Sequence, residues 1–235
     1  MANGNKNVPS KAGSQDVSDF LERLAMTPAV RSADGGGRLV FGMDATASRE
    51  PTWDSACHIQ GEMFKSTDGL GGLEVQLVYF RGFGECKSSV WVDSSDALVR
   101  SMTAVRCLGG RTQIGKILRH TMRETKKRKV NALVFVGDCI EEDVDELCHY
   151  AGQLGVLGVP MFVFQEGNDV AAMQAFRQFG RLTNGAYCRF DASSADQLRE
   201  LLAAVAVYAA GGLRALEDLG NRGGSAVAQI TSQLK

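Results

Sequence analysis

Apolar positions along this chain alternate between two rhythms. Val17, Phe20, Leu21 and Leu24 follow the i, i+3, i+4, i+7 spacing of one helical face, behind Asp16 as a cap and before Thr27-Pro28 as a stop. This predicts a short amphipathic helix over 16–30, followed by a SADGGG linker at 32–37. Short apolar runs of strand length come next: RLVFGMD (38–44), LEVQLVYF (73–80), NALVFVGD (131–138), VPMFVF (159–164) and AYCRF (186–190). Helical patterns separate most of them, over 53–67, 94–106, 112–128, 143–154, 170–182 and 195–210. One junction differs. The Gly-containing turn 81–85 leads at once to SSVWV (88–92), so these two runs form an antiparallel hairpin.

Continuous apolar strands alternating with helices predict an α/β fold: a doubly wound, mainly parallel sheet covered on both faces, with one antiparallel edge strand. The expected division is a flexible N-terminal segment with its helix (1–37), one sheet domain (38–212) and a flexible tail (213–235). In that tail Val227, Ile230 and Leu234 can share a helical face. The terminal segments, lying outside the strand–helix pattern, are expected to be removable.

Composition narrows the picture. The chain has 235 residues, enough for one large domain, with 44 % hydrophobic and 23 % charged residues. A formal net charge of -1 gives no electrostatic reason to expect nucleic acid or an anionic membrane. The N-terminus lacks an apolar signal region, and the longest apolar stretch, Leu201 to Ala210, is too short to span a bilayer. The expected location is cytoplasmic. Six cysteines occur without any CxxC pair, which predicts buried, reduced thiols.

Candidate chemistry lies at two strand ends. Asp44-Ala-Thr46-Ala-Ser48 follows the first strand, placing three oxygen side chains at i, i+2 and i+4 of an extended turn. Asp138 ends a later strand in the same manner, and Thr112 opens the helix before it. In a doubly wound sheet the two strand ends lie side by side at the switch point, where such sheets bind ligands. Two carboxylates and three hydroxyls, with no nitrogen or sulfur, suit a hard divalent cation.

These residues resemble the metal-ion-dependent adhesion site of von Willebrand factor A domains, a strand-DxSxS, a distant Thr and a strand-GD. Here they stand as Asp44-Ala-Thr46-Ala-Ser48, Thr112 and Gly137-Asp138, over a resemblance that runs from 38 to 210. Thr46 replaces the usual Ser and keeps the oxygen. The resemblance implies that Thr46, Ser48 and Thr112 touch the metal, while Asp44 and Asp138 act directly or through water. It implies Mg²⁺, or Mn²⁺ or Ca²⁺, and a partner's carboxylate in the last position. It further implies a non-enzymatic protein-binding module of the bacterial stand-alone cytosolic type, whose relatives work with AAA+ ATPases or chaperone-like assemblies. Arg49 and Arg111 flank the ligands and are expected to rim the crevice and steer an acidic side chain, or else to pair with Glu50 or with the Glu141 to Asp143 cluster.

Other chemistries fit less well. Gly110 to Lys116 matches GxxxxGK, but position 117 is Ile, where a P-loop needs Ser or Thr for magnesium. A phosphatase or hydrolase using Asp44 needs a second acid or a base, and His58, His120 and His149 all fall in predicted helices. FGMDA is not GxGxxG. The run Lys126 to Lys129 ends a helix, where cations favour the dipole, and lies opposite the metal end of the sheet. Glu141-Glu142-Asp143 reads as charge at the start of its own helix.

Overall fold

The structure, a computed structural model, describes residues 14–27, 37–50, 73–190 and 199–211. In chain order these form α1 (Ser14–Met26), β1 (Gly37–Asp44), β2 (Leu73–Arg81), β3 (Glu85–Ser88), α2 (Ser95–Thr103), α3 (Ile114–Lys127), β4 (Ala132–Gly137), α4 (Val144–Val156), β5 (Met161–Glu166), α5 (Val170–Leu182) and β6 (Ala186–Phe190). A last helix, α6, covers 199–211. The helix expected at 53–67 and the tail from 213 lie outside the described residues, as do the linker at 32–36 and Cys57 and His58.

The sheet has six strands in the order β3-β2-β1-β4-β5-β6. All neighbours run parallel except β2 and β3. Side chains alternate between its faces, as strand geometry requires. Leu39, Phe41 and Met43 join α1, α2 and α6 on one side. Val40, Leu133 and Phe135 join α3, α4 and α5 on the other. The doubly wound α/β architecture and its antiparallel edge are as expected from the sequence.

The edge strand itself sits earlier than SSVWV. Arg81 pairs with Glu85 across a three-residue connection, Gly82 to Gly84. Gly82 takes φ +59 there, a left-handed conformation that glycine adopts without strain. The polar sequence ECKS can therefore form the strand, because an edge exposes its side chains. Val92 retains only an isolated bridge to Val75.

α1 is not a loose appendage. Val17, Phe20, Leu21 and Leu24 are buried in the same core as β1, β4 and β5. The Phe20 ring lies 6.0 Å from that of Phe162 and 5.1 Å from that of Phe164. The boundary expected at residue 38 thus excludes a helix that the core includes. The amphipathic pattern identified the helix but carried no information on what its apolar face covers.

The cysteine expectation also changes. Cys188 is buried, but Cys86, Cys107, Cys139 and Cys148 are half-buried, and none of these five is in a disulfide. The basic run is engaged at the sheet end where β4 begins. Lys127 pairs with Glu124 and Arg128 with Glu74, while the Lys129 ammonium donates to the carbonyls of Leu157 and Gly158. Among the described residues no helix is long and apolar enough to cross a membrane.

Candidate metal centre

The switch point falls between β1 and β4, whose ends lie side by side with Met43 opposite Val136. Asp44 ends β1 and Asp138 follows β4 directly. Gly137 leaves room for the Phe135 ring: a Cβ at that position would lie 2.9 Å from the ring, which would have to shift, and 3.6 Å from the Asp44 Cβ, an ordinary contact. The topology thus converts two residues 94 positions apart into neighbours across one crevice.

Asp44 is fully buried. One of its oxygens, Oδ1, accepts the Thr46 backbone N–H at 2.7 Å. The other, Oδ2, is buried and has no hydrogen-bond partner among the described residues, and the same holds for Asp138 Oδ1. Burial without a full set of donors raises the Asp44 pKa to about 6. The Thr46 hydrogen bonds oppose that rise, and the nearby Asp138 charge adds to it. A buried carboxylate oxygen without a donor is costly, and a cation is the usual remedy.

The hydroxyls arrive by a different route from the extended turn expected. Thr46 precedes a single turn of 3-10 helix, Ala47–Arg49, closed by the Arg49 N–H donating to the Thr46 carbonyl at 3.0 Å. Curling the chain brings Thr46 Oγ1 within 3.1 Å of Ser48 Oγ. Thr46 is buried, whereas Ser48 is exposed at the mouth. Thr112 is buried and bound to the loop after β4. Its Oγ1 accepts the Glu141 N–H at 2.9 Å, and its own N–H donates to Glu141 Oε2 at 3.0 Å. The reciprocal pair fixes Thr112 beside the segment that carries Asp138.

Three features escaped the sequence reading. First, Cys139 belongs to the centre. Its Sγ and one carboxylate oxygen each from Asp44 and Asp138 all lie within 4.8 Å of one another. Burial and the adjacent Asp138 charge push its thiol up to about 12. A lone cysteine in an apolar run carries no signal of this before the strand ends are paired. Second, Glu142 does not serve its own helix. Its carboxylate accepts the N–H groups of Ile114 and Gly115 at the start of α3, while Asp143 caps α4 by accepting the Glu146 N–H.

Third, Arg49 is not a rim residue. Its side chain is 1 % exposed and forms an ion pair with Glu166 at the end of β5. The 3-10 turn points it inward, where it supplies a positive charge that lowers the Asp44 pKa against the larger effect of burial. Arg111 is exposed, and its N–H donates to the Gly82 carbonyl at 3.2 Å.

The GxxxxGK segment gains no phosphate cradle. The amides that would face a phosphate at the α3 N-terminus are those that Glu142 occupies. The Lys116 ammonium donates to the Gly84 carbonyl and Gln113 Oε1. Calorimetry with Mg²⁺ and ATP is therefore expected to show no micromolar binding. Micromolar affinity that disappears in Lys116→Ala would refute this. Of the described histidines, His120 Nε2 pairs with Gln76 Oε1 and His149 Nε2 with Gln153, so neither is bonded to a crevice residue.

No family model matches the chain, and no curated protein matches it in sequence. Solved structures do match. A von Willebrand factor type A protein from Catenulispora acidiphila superposes with TM-score 0.59 at 16 % identity, covering 72 % of this chain and 42 % of that one. Manganese-loaded Plasmodium vivax TRAP protein gives TM-score 0.54 at 14 % identity, covering 72 % of each chain. The SpRpn10 VWA domain gives 0.51 at 13 % identity, covering 66 % of this chain and 87 % of that one. At these identities the likeness establishes the fold, which is of the von Willebrand factor A type.

Proposed function

We propose that this chain is a metal-dependent protein-binding module, in which a divalent cation held by Asp44, Thr46, Ser48, Thr112 and Asp138 receives an acidic side chain of a partner. The observation that carries the reading is the pair of buried, unpartnered oxygens, Asp44 Oδ2 and Asp138 Oδ1, at the switch point of the sheet. They fit a cation because, among the described residues, no donor is hydrogen-bonded to either oxygen. The manganese-loaded neighbour with the same fold supports the same assignment.

Bound there, a divalent cation supplies a local positive charge with an exchangeable position. The chain's own residues do the rest. Asp44 and Asp138 provide the anionic floor, Thr112 is held in place by Glu141, and Ser48 stands exposed at the opening. With oxygen donors of this kind the cation is Mg²⁺, with Mn²⁺ or Ca²⁺ as alternatives. Arg111 remains the steering residue at the rim. A partner of the AAA+ ATPase or chaperone-like class fits the resemblance, as does a cytoplasmic setting.

The competing reading is a metal-dependent phosphatase or hydrolase. It needs a general base within reach of the reacting group, and neither described histidine is bonded to a crevice residue. The test is a native-lysate pull-down with mass spectrometry. A specific partner is expected to be captured in Mg²⁺ or Mn²⁺, released by chelator, and lost in Ser48→Ala. Capture that survives both chelation and Ser48→Ala would place docking on another face. Turnover of a phosphoester that disappears in Asp44→Asn would favour the hydrolase.

A further inference from the structure

We propose that Cys139 is itself a ligand in this crevice, and that its sulfur turns the site towards Zn²⁺ in preference to Mg²⁺. The inference rests on the metal-site reading above and adds a donor that the oxygen motif lacks.

The geometry is specific. Cys139 Sγ, one carboxylate oxygen of Asp44 and one of Asp138 all lie within 4.8 Å of one another. Ligands of one four-coordinate zinc ion sit about 2.0–2.3 Å from it and so roughly 3.3–3.7 Å from one another, and three donors already within 4.8 Å of each other need close by no more than about 1.5 Å. Small side-chain rotations therefore bring all three onto a single ion. The sulfur is in no disulfide. A second, independent observation points to the ligand. Asp44 is fully buried, and its Oδ2 has no hydrogen-bond partner, nor does Asp138 Oδ1. The cluster thus offers two carboxylate oxygens without a hydrogen-bond donor among the described residues, beside a sulfur whose hydrogen-bonding partner is Asp138 of the same cluster.

The donor set decides the metal. Mg²⁺ takes near-octahedral oxygen ligands and gains nothing from a thiol. Zn²⁺ accepts thiolate and carboxylate together in a four-coordinate shell. Asp44, Asp138 and Cys139 make three such ligands, leaving one position for water or a partner's carboxylate. The thiol proton passes to solvent as the ion binds, so the charge balances without any oxidant or reductant.

The experiment is X-ray absorption at the zinc edge on the full chain loaded with one equivalent of Zn²⁺, with affinities from chelator competition. One sulfur scatterer near 2.3 Å is expected beside oxygens at about 2.0–2.2 Å. Cys139→Ser should lose the sulfur, keep the oxygens, and bind Zn²⁺ on the order of 100-fold more weakly, with Mg²⁺ affinity nearly unchanged. Cys139→Ala serves as a second variant, and a cooperative melt of both confirms folding. An oxygen-only shell in the wild type would overturn the proposal, as would a sulfur shell that survives in Cys139→Ser. Asp44→Asn separates the two levels. Zinc bound through oxygens and lost in Asp44→Asn leaves the metal site standing without Cys139. Cation binding that Asp44→Asn does not weaken removes both readings.

Discussion

Truncating Phe20 to alanine is expected to destabilise the chain by about 3–5 kcal/mol, the range for removing a fully buried aromatic ring. The ring is 0 % exposed and packs on Phe162 and Phe164 of β5. Domains hold only about 5–15 kcal/mol in total, so the loss is a large share of what exists. In a chain of this size each kcal/mol is worth about 2–4 °C, which puts the melting temperature roughly 6–20 °C lower. A urea melt measures it directly, and Phe20→Leu should recover more than half. A change below about 1 kcal/mol would show that α1 is peripheral and that the sheet domain stands without it.

The second large effect concerns charge rather than packing. In chelator at pH 7.5, Asp44→Asn is expected to be more stable than the wild type. The folded carboxyl holds its proton more tightly than the unfolded one, with a pKa raised from 3.8 to about 6 by burial. The sign follows from linkage. Below the unfolded value the group is protonated in both states and costs nothing. The penalty grows as pH rises from 3.8 and is complete above about 6. Two pKa units correspond to roughly 3 kcal/mol. The asparagine amide brings two N–H donors that need acceptors, which offsets part of this, so a net gain of about 1–2 kcal/mol is expected. The gain should shrink as pH falls and change sign by about pH 4, where the carboxyl penalty is nearly gone and the amide's own cost remains. Excess Mn²⁺ should reverse the order, because the wild type alone binds it well. A wild type that equals or exceeds the variant at pH 7.5 without metal would mean that the protein already satisfies this charge.

Much of the fold was legible because each element announces itself locally. The five apolar runs are strands because they are buried on both sides, so they need no alternation, and α5 and β6 match their predicted bounds of 170–182 and 186–190. β3 was displaced because edge position relaxes the apolar requirement: ECKS is a strand through its pairing with β2, which no local pattern encodes. The role of α1 was hidden for a related reason. A stripe of Val17, Phe20, Leu21 and Leu24 shows that something is covered but not which strands.

The candidate site divides along the same line. Asp44 and Asp138 could be paired from sequence because a doubly wound sheet must reverse at some strand, and apolar runs ending in Asp mark the edges of that reversal. Thr46 and Ser48 were placed together for the wrong geometric reason, since a 3-10 turn and not an extended chain brings their hydroxyls to 3.1 Å. Arg49 was misplaced by the same error, because the curl that gathers the hydroxyls sends it inward to Glu166. Glu141 and Glu142 act across space on Thr112 and α3, about 28 residues away, and charge at a helix start gives no hint of which helix it serves.

The central claim is that Asp44 and Asp138 share a divalent cation, and thermal melting of the chelator-stripped chain with and without Mn²⁺ or Mg²⁺ tests it most directly. Only the folded chain gathers these ligands, so at 100 times the dissociation constant binding should add about 2.7 kcal/mol. That corresponds to a rise of roughly 5–11 °C. Asp44→Ala and Asp138→Ala should each remain folded and lose the metal-induced rise. No rise in the wild type, or an equal rise in both variants, would contradict the site.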